Sequence, residues 1–175
     1  MTSIYISFED IQALGQTFVE RIGPPDECVA ALGHVTVGFS WLEKSLENHI
    51  ATLAHLPPAM APALTAEMSF KTKVSVLSSL IRFQPPIRAF NCGIEDPSDV
   101  WDDILKMLSA CEQHRNRLIH SHWGCKNGEK IQRTKTTAKA AHGIRVSSEV
   151  LTSYYLLDVY DYILNVDCIL NDFFR

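Results

Sequence analysis

The chain has 175 residues, enough for one well-buried core and too few for two ordinary domains. With 46% hydrophobic and 21% charged residues it has the composition of a folded globular protein, which excludes extended disorder. Its net charge is -4, and every long apolar run is broken by charges well before the roughly 18 residues that a bilayer span needs.

Prolines punctuate the sequence into helices. Ile11, Leu14, Phe18 and Ile22 recur at helical spacing, predicting a first helix over Phe8 to Ile22 that Gly23-Pro24-Pro25 ends. A second, longer helix is predicted from Asp26 to His55, with Leu42, Leu46, Ile50 and Leu53 as its core stripe and Leu56-Pro57-Pro58 as its stop. Its centre, Gly38-Phe39-Ser40-Trp41, mixes small and large residues and lets a neighbouring helix approach closely. Ser69 is the expected N-cap of a third helix that turns Val74, Leu77 and Ile81 inward and is bounded by Pro85-Pro86.

Asp96-Pro97-Ser98-Asp99 starts the fourth predicted helix: a capping Asp, Pro at the first helical position and an acid in the first turn. Its stripe reads Val100, Ile104, Leu108, Cys111, then Arg115, Leu118 and His122, and Gly124 and Gly128 end the pattern. Lys130 to Thr137 alternates weakly, as one arm of an exposed hairpin does. Ser147 or Ser148 is the expected cap of a long last helix, with Leu151, Tyr155, Val159, Ile163, Val166, Leu170 and Phe173 on one face. Leu156, Leu157, Tyr160 and Leu164 widen that face enough for more than one neighbour, and a dimer seam is one way to supply the second. The expected class is all-α: an up-and-down bundle of four main helices, an extra N-terminal helix over residues 1–25, and a basic loop or hairpin before the last helix. All of it belongs to a single domain, residues 1–175.

Five scattered cysteines (Cys28, Cys92, Cys111, Cys125 and Cys168) include no Cys-x-x-Cys pair, which suits packing residues in a reducing compartment rather than a disulfide framework. The N-terminus lacks the basic and apolar regions of a secretory signal, so the cytosol is the expected location and a membrane is not an expected partner. Charge is unevenly spread. Eight of the 16 basic residues but only one of the 20 acids, Glu129, lie between Arg115 and Arg145. That segment is about +7 and the remainder about -11, the footprint of a polyanion site on an acidic body. A solvated Lys-rich loop is the competing reading.

Arg115 is the anomaly, a permanent charge in line with Ile104, Leu108, Cys111 and Leu118. Desolvating a guanidinium unpaired costs several kcal/mol, so either an acid on the second helix (Glu43 or Glu47) pairs with it or the charge serves a ligand. Asn116 and His120 are four apart on one helix face, so the amide can orient the imidazole. Arg115 and His120 stand roughly 140° and 7.5 Å apart on an ideal helix, within reach of a shared phosphate. An imidazole that moves protons near neutral pH, beside a guanidinium that binds phosphate oxygens, suits phosphoryl transfer without a metal.

Arg115-Asn116-Arg117-Leu118-Ile119-His120 resembles the signature of the HEPN domains: Arg, a polar residue, three further residues, then His. Gly38-Phe39-Ser40-Trp41-Leu42-Glu43 is similar to the start of that family's long second helix, and Met68-Ser69-Phe70-Lys71-Thr72-Lys73-Val74 to the segment opening its third. Trp123 follows the His at the usual short distance, and the resemblance covers about Val29 to Phe173. It implies a homodimeric endoribonuclease that needs no metal or other cofactor, with two motifs facing across a cleft. In that reading His120 is general base or acid, Arg115 stabilises the phosphorane and Asn116 orients His120 or touches the phosphate. RNA is the substrate, held along the basic segment by Arg117, Lys126, Lys130, Arg133 and Lys135, and cleavage leaves 2′,3′-cyclic phosphate ends. Relatives act as toxins held by an antitoxin or regulatory protein, or in phage defence. Others are non-catalytic nucleotide- or RNA-binding or dimerisation modules, which is the alternative function.

Trp123 and Tyr154 are candidates for stacking on bases, although aromatics at helical spacing more often belong to the core. Cys111, His114, His120, His122 and Cys125 could instead supply zinc ligands, but their spacing fits no standard finger. In the non-metal reading His114 is a surface residue and His122 a buried, hydrogen-bonded one.

Overall fold

A computed structural model of the chain describes residues 25–57, 59–83, 97–126, 130–139 and 143–175. The expected first helix, the Pro85-Pro86 boundary and the Asp96 cap lie outside the described residues. What is described is mostly helical with one small sheet: α1 (Asp26–Leu53), α2 (Met60–Thr65), α3 (Phe70–Phe83), α4 (Pro97–Ile119), β1 (His122–Lys126), β2 (Lys130–Lys139), β3 (Gly143–Leu151) and α5 (Ser153–Phe173). Among the described residues no helix is long and apolar enough to cross a membrane.

The core lies between α1, α3, α4 and α5. Val35, Phe39, Leu42, Leu46 and Ile50 of α1 are buried, one per turn, as an amphipathic helix requires. Leu156, Val159, Ile163, Val166, Leu170 and Phe173 of α5 meet them, and α5 also packs on α4. The second neighbour that the breadth of the last helix demands is therefore present within the chain. Gly38 permits the α1–α5 approach: a Cβ built there would stand 2.9 Å from Cδ2 of Tyr160. Trp101, whose place in the core the sequence reading missed, is 1% exposed and donates through Nε1 to Ser78 Oγ at 3.1 Å.

Helix ends follow local chemistry. Ser69 caps α3 by accepting from the Thr72 amide at 3.2 Å. α1 stops two residues earlier than expected. The His55 amide donates to Thr52 O and the Leu56 amide to Ala51 O, with His55 at φ 51, so the last carbonyls are closed by a left-handed residue. α2 is a single short helix just after Pro57-Pro58, with Pro62 in its first turn, that the sequence reading did not anticipate.

The largest departure lies between α4 and α5. The expected loop or single hairpin is a three-stranded antiparallel sheet in the order β1-β2-β3. The expected last helix gives up its first residues to β3, because Leu151 pairs with Ile131 and both side chains join the core. α5 consequently starts at Ser153, capped not by Ser147 or Ser148 but by Thr152, whose Oγ1 accepts from the Tyr155 amide at 3.2 Å. His122, expected on the stripe of the fourth helix and buried, is the first residue of β1 and exposed.

Candidate functional site

The site forms where α4 runs out. Leu118 is fully buried and fixes the last turn of α4 against the core, leaving Arg115 and Asn116 half-buried and His120 exposed just beyond the helix. Arg115 Nη1 stands 3.0 Å from Asn116 Oδ1 and 3.3 Å from His120 Nε2. The guanidinium carbon sits 5.4 Å from the centroid of the Phe39 ring on α1, a cation–π contact that eases its partial burial. The Asn116 amide oxygen accepts from Arg115 and not from the imidazole, so Asn116 orients the guanidinium.

Arg115 has no ion-pair partner among the described residues. The two acids expected to neutralise it are held by a different cation. Lys73 of α3, 6% exposed, places Nζ 3.0 Å from Glu47 and 3.4 Å from Glu43. Burial opposes the charged forms, but the hydrogen bonds and opposite charge outweigh it, so the Glu47 carboxyl lies below its usual range and the Lys73 ammonium above its own. Lys73 falls between Phe70 and Leu77 on the buried face of α3, the same kind of anomaly that singled out Arg115. A guanidinium that is half-buried, oriented by an amide and not matched by an acid is equipped to bind an anion.

No family model, curated protein or solved structure matches this chain.

The sheet holds the end of α4 in place. Arg133 of β2, 5% exposed, donates through Nε to Arg117 O at 2.7 Å and to Ser121 Oγ at 2.9 Å. Trp123 donates through Nε1 to Leu118 O at 3.0 Å, and Ser121 Oγ donates to Arg117 O at 2.7 Å. These contacts satisfy carbonyls that a helix C-terminus leaves open, and they bracket His120 on both sides. Arg133 also pairs with Glu149, its cross-strand partner on β3. Glu149 binds Arg117 as well, and Arg117 donates to the Tyr155 hydroxyl at 3.2 Å. The Arg117 guanidinium, followed by that of Arg133, holds the Glu149 carboxyl below its usual range. Glu149 and Ser121 were not singled out from sequence. An acid immediately beyond a strongly basic segment was the available signal.

The five residues expected to hold RNA thus occupy different settings. Arg133 is buried and Arg117 half-buried, and both are engaged with Glu149. Lys126 and Lys130 are register partners across β1 and β2, and Lys135 is half-buried on β2, opposite Ser147. Of the two stacking candidates, Trp123 is half-buried against the core while Tyr154 is 78% exposed. Among the described residues no group of three or more His, Cys, Asp or Glu side chains is placed to share a metal ion. His114 packs edge-on against Tyr162 and is half-buried rather than on the surface. Burial pushes the Cys111 thiol up to about 12, away from the thiolate that zinc binds.

Proposed function

We propose that the chain is a metal-independent endoribonuclease of the HEPN type. The observation that carries this reading is the contact of Arg115 with both Asn116 and His120, with no acid among the described residues paired to the guanidinium. An RNA phosphate arriving between Arg115 and His120 takes up the guanidinium and frees Nε2 of the imidazole. His120 then removes the 2′-hydroxyl proton, the 2′-oxygen attacks the adjacent phosphorus, and the bond to the 5′-oxygen breaks. The leaving oxygen takes a proton from the second copy's motif or from water, and the products carry a 2′,3′-cyclic phosphate and a 5′-hydroxyl. Arg115 stabilises the charge that builds on the phosphorane.

Two wider parts of the reading accompany it. The four long helices α1, α3, α4 and α5 form an up-and-down bundle, supported by the contacts of α1 with the other three. The protein works as a cytosolic homodimer with its motifs facing each other, as a toxin or phage-defence effector silenced by an antitoxin or regulatory protein. Exposed Trp41, Val37 and Tyr154 are apolar surface available to such assembly. The pairing of Arg117 and Arg133 with Glu149 favours a second reading, a non-catalytic binding module, because it commits two cations expected to hold the strand.

RNA cleavage in EDTA by the wild-type chain and by His120→Ala decides between them. Products with cyclic phosphate ends that vanish in the variant support the ribonuclease. No cleavage of any RNA replaces it with the binding module.

A further inference from the structure

A cavity of about 330 Å³ opens beside Arg115, lined by Phe39, Glu43, Ser69, Phe70, Glu112, Arg115 and Asn116. One wall is apolar: the Phe39 and Phe70 rings are buried with centroids 4.6 Å apart. Its polar side carries two carboxylates against one guanidinium, which repels an anion from the interior and leaves the phosphate to the Arg115–His120 edge. Glu43 already has one oxygen on Lys73 at 3.4 Å. Glu112 is half-buried and has no hydrogen-bonding partner among the described residues. The cavity therefore calls for a flat, uncharged group with N–H donors to offer.

We propose that this cavity is a nucleobase subsite adjoining the phosphate site, and that Glu112 makes it select guanine. The proposal rests on the ribonuclease reading and names its substrate. A carboxylate only accepts hydrogen bonds and accepts two side by side. Guanine alone presents two adjacent donors on its pairing edge, the ring N1–H and the exocyclic amine. Adenine and cytosine each set one amine beside a ring-nitrogen acceptor, and uracil flanks its single N–H with carbonyls, so each turns a lone pair toward the carboxylate. Spacing agrees: seven residues of helix put the end of α4 about 10 Å along the axis from Glu112, with Arg115 between them and His120 just beyond. That is the scale of the distance from a phosphate to the far edge of its own base.

The test is calorimetric titration of the wild-type chain with the 3′-monophosphates of guanosine, adenosine, cytidine and uridine, followed by sequencing of the ends left on a mixed RNA. Guanosine 3′-monophosphate should bind about tenfold or more tighter than the others, since a site built to hydrogen-bond rejects ligands that leave its polar groups unpaired. Glu112→Gln should level that preference with an unchanged circular dichroism spectrum, and RNA ends should carry guanosine. Equal affinities, a preference that survives Glu112→Gln, or binding of a cationic peptide in place of any nucleotide overturns the subsite. RNA cut without regard to base sinks the subsite but leaves the ribonuclease standing. Selective guanosine binding with no RNA cut does the reverse.

Discussion

Arg115 Nη1 and His120 Nε2, five residues apart in the chain, meet at 3.3 Å. A guanidinium can only donate, so the contact requires a lone pair on Nε2 and places the ring proton of the neutral imidazole on Nδ1. The nitrogen that faces Arg115 is thus the one able to accept a proton. His120→Ala and Arg115→Ala should each lower RNA cleavage by about 10²–10⁴-fold, the usual contribution of a positioned acid–base or charge-stabilising group. Because Arg115 is ion-paired to no acid among the described residues, urea denaturation of Arg115→Ala should shift stability by less than about 1 kcal/mol. A buried Arg–Glu pair would have cost roughly 3–5 kcal/mol.

Glu149→Gln is expected to behave in the opposite way. It leaves Arg133 buried and Arg117 half-buried without their shared carboxylate. Since Glu149 itself is partly exposed, the expected loss is about 2–3 kcal/mol, below that of a fully buried pair. Cleavage should fall as well, because Arg133 carries the hydrogen bonds that hold the helix end next to His120. Denaturation midpoints and initial rates at a temperature where the variant stays folded separate the two effects.

Two glycines of α1 offer a matched test of packing. Nothing lies within 4 Å of a Cβ at Gly33, so Gly33→Ala should stabilise by up to about 1 kcal/mol through helix propensity alone. At Gly38 the same methyl would meet the Tyr160 ring at 2.9 Å and 3.0 Å. Gly38→Ala should lose that gain, and Gly38→Leu should destabilise by about 1–3 kcal/mol. Thermal melts that rank the two alanine variants equally would show that α5 does not depend on the small residue.

Acid should weaken the fold in two stages. Burial pushes the His49 pKa below its ordinary value while its Nε2 is paired with Asn171 Oδ1 at 3.0 Å and its ring stacks on Phe174. The folded state then binds fewer protons than the unfolded one, so this contribution is complete above about pH 6.5 and is lost as pH falls through the lowered value. Asp167 faces the same ring and opposes the shift. Glu47 and Glu149 are likewise held below the ordinary carboxylate value of 4.5, so their contribution persists to lower pH and disappears as they protonate in the folded state. Urea titrations from pH 8 to 3 should show the first loss near neutrality vanish in His49→Phe and the second remain.

The helices were legible because their periodicity and caps are local: Leu42, Leu46 and Ile50 mark α1, and Ser69 starts α3. Residues 143–151 were not. Ser147, Ser148 and Leu151 read as a capped helix start, and only pairing with β2, more than ten residues earlier in the chain, makes them a strand. Lys73 escaped notice although its place on an apolar stripe follows the rule that exposed Arg115. The partners that distinguish the two cations lie on other elements. Local spacing identifies a misplaced charge, while tertiary contact decides whether it is already answered.

The hairpin of β2 and β3 is secured at its base. Near its base Ile131 pairs with Leu151 and Arg133 with Glu149, whereas Thr136 and its register partner Val146 are both exposed. Of the described side chains beyond that base, Thr136, Arg145, Val146 and Ser147 are exposed, so folding places little constraint on their identity. A fluorophore attached at Thr136 or Val146 would travel with the turn that carries His120, through Arg133, and the chain thus offers a ready place for a reporter of events at His120.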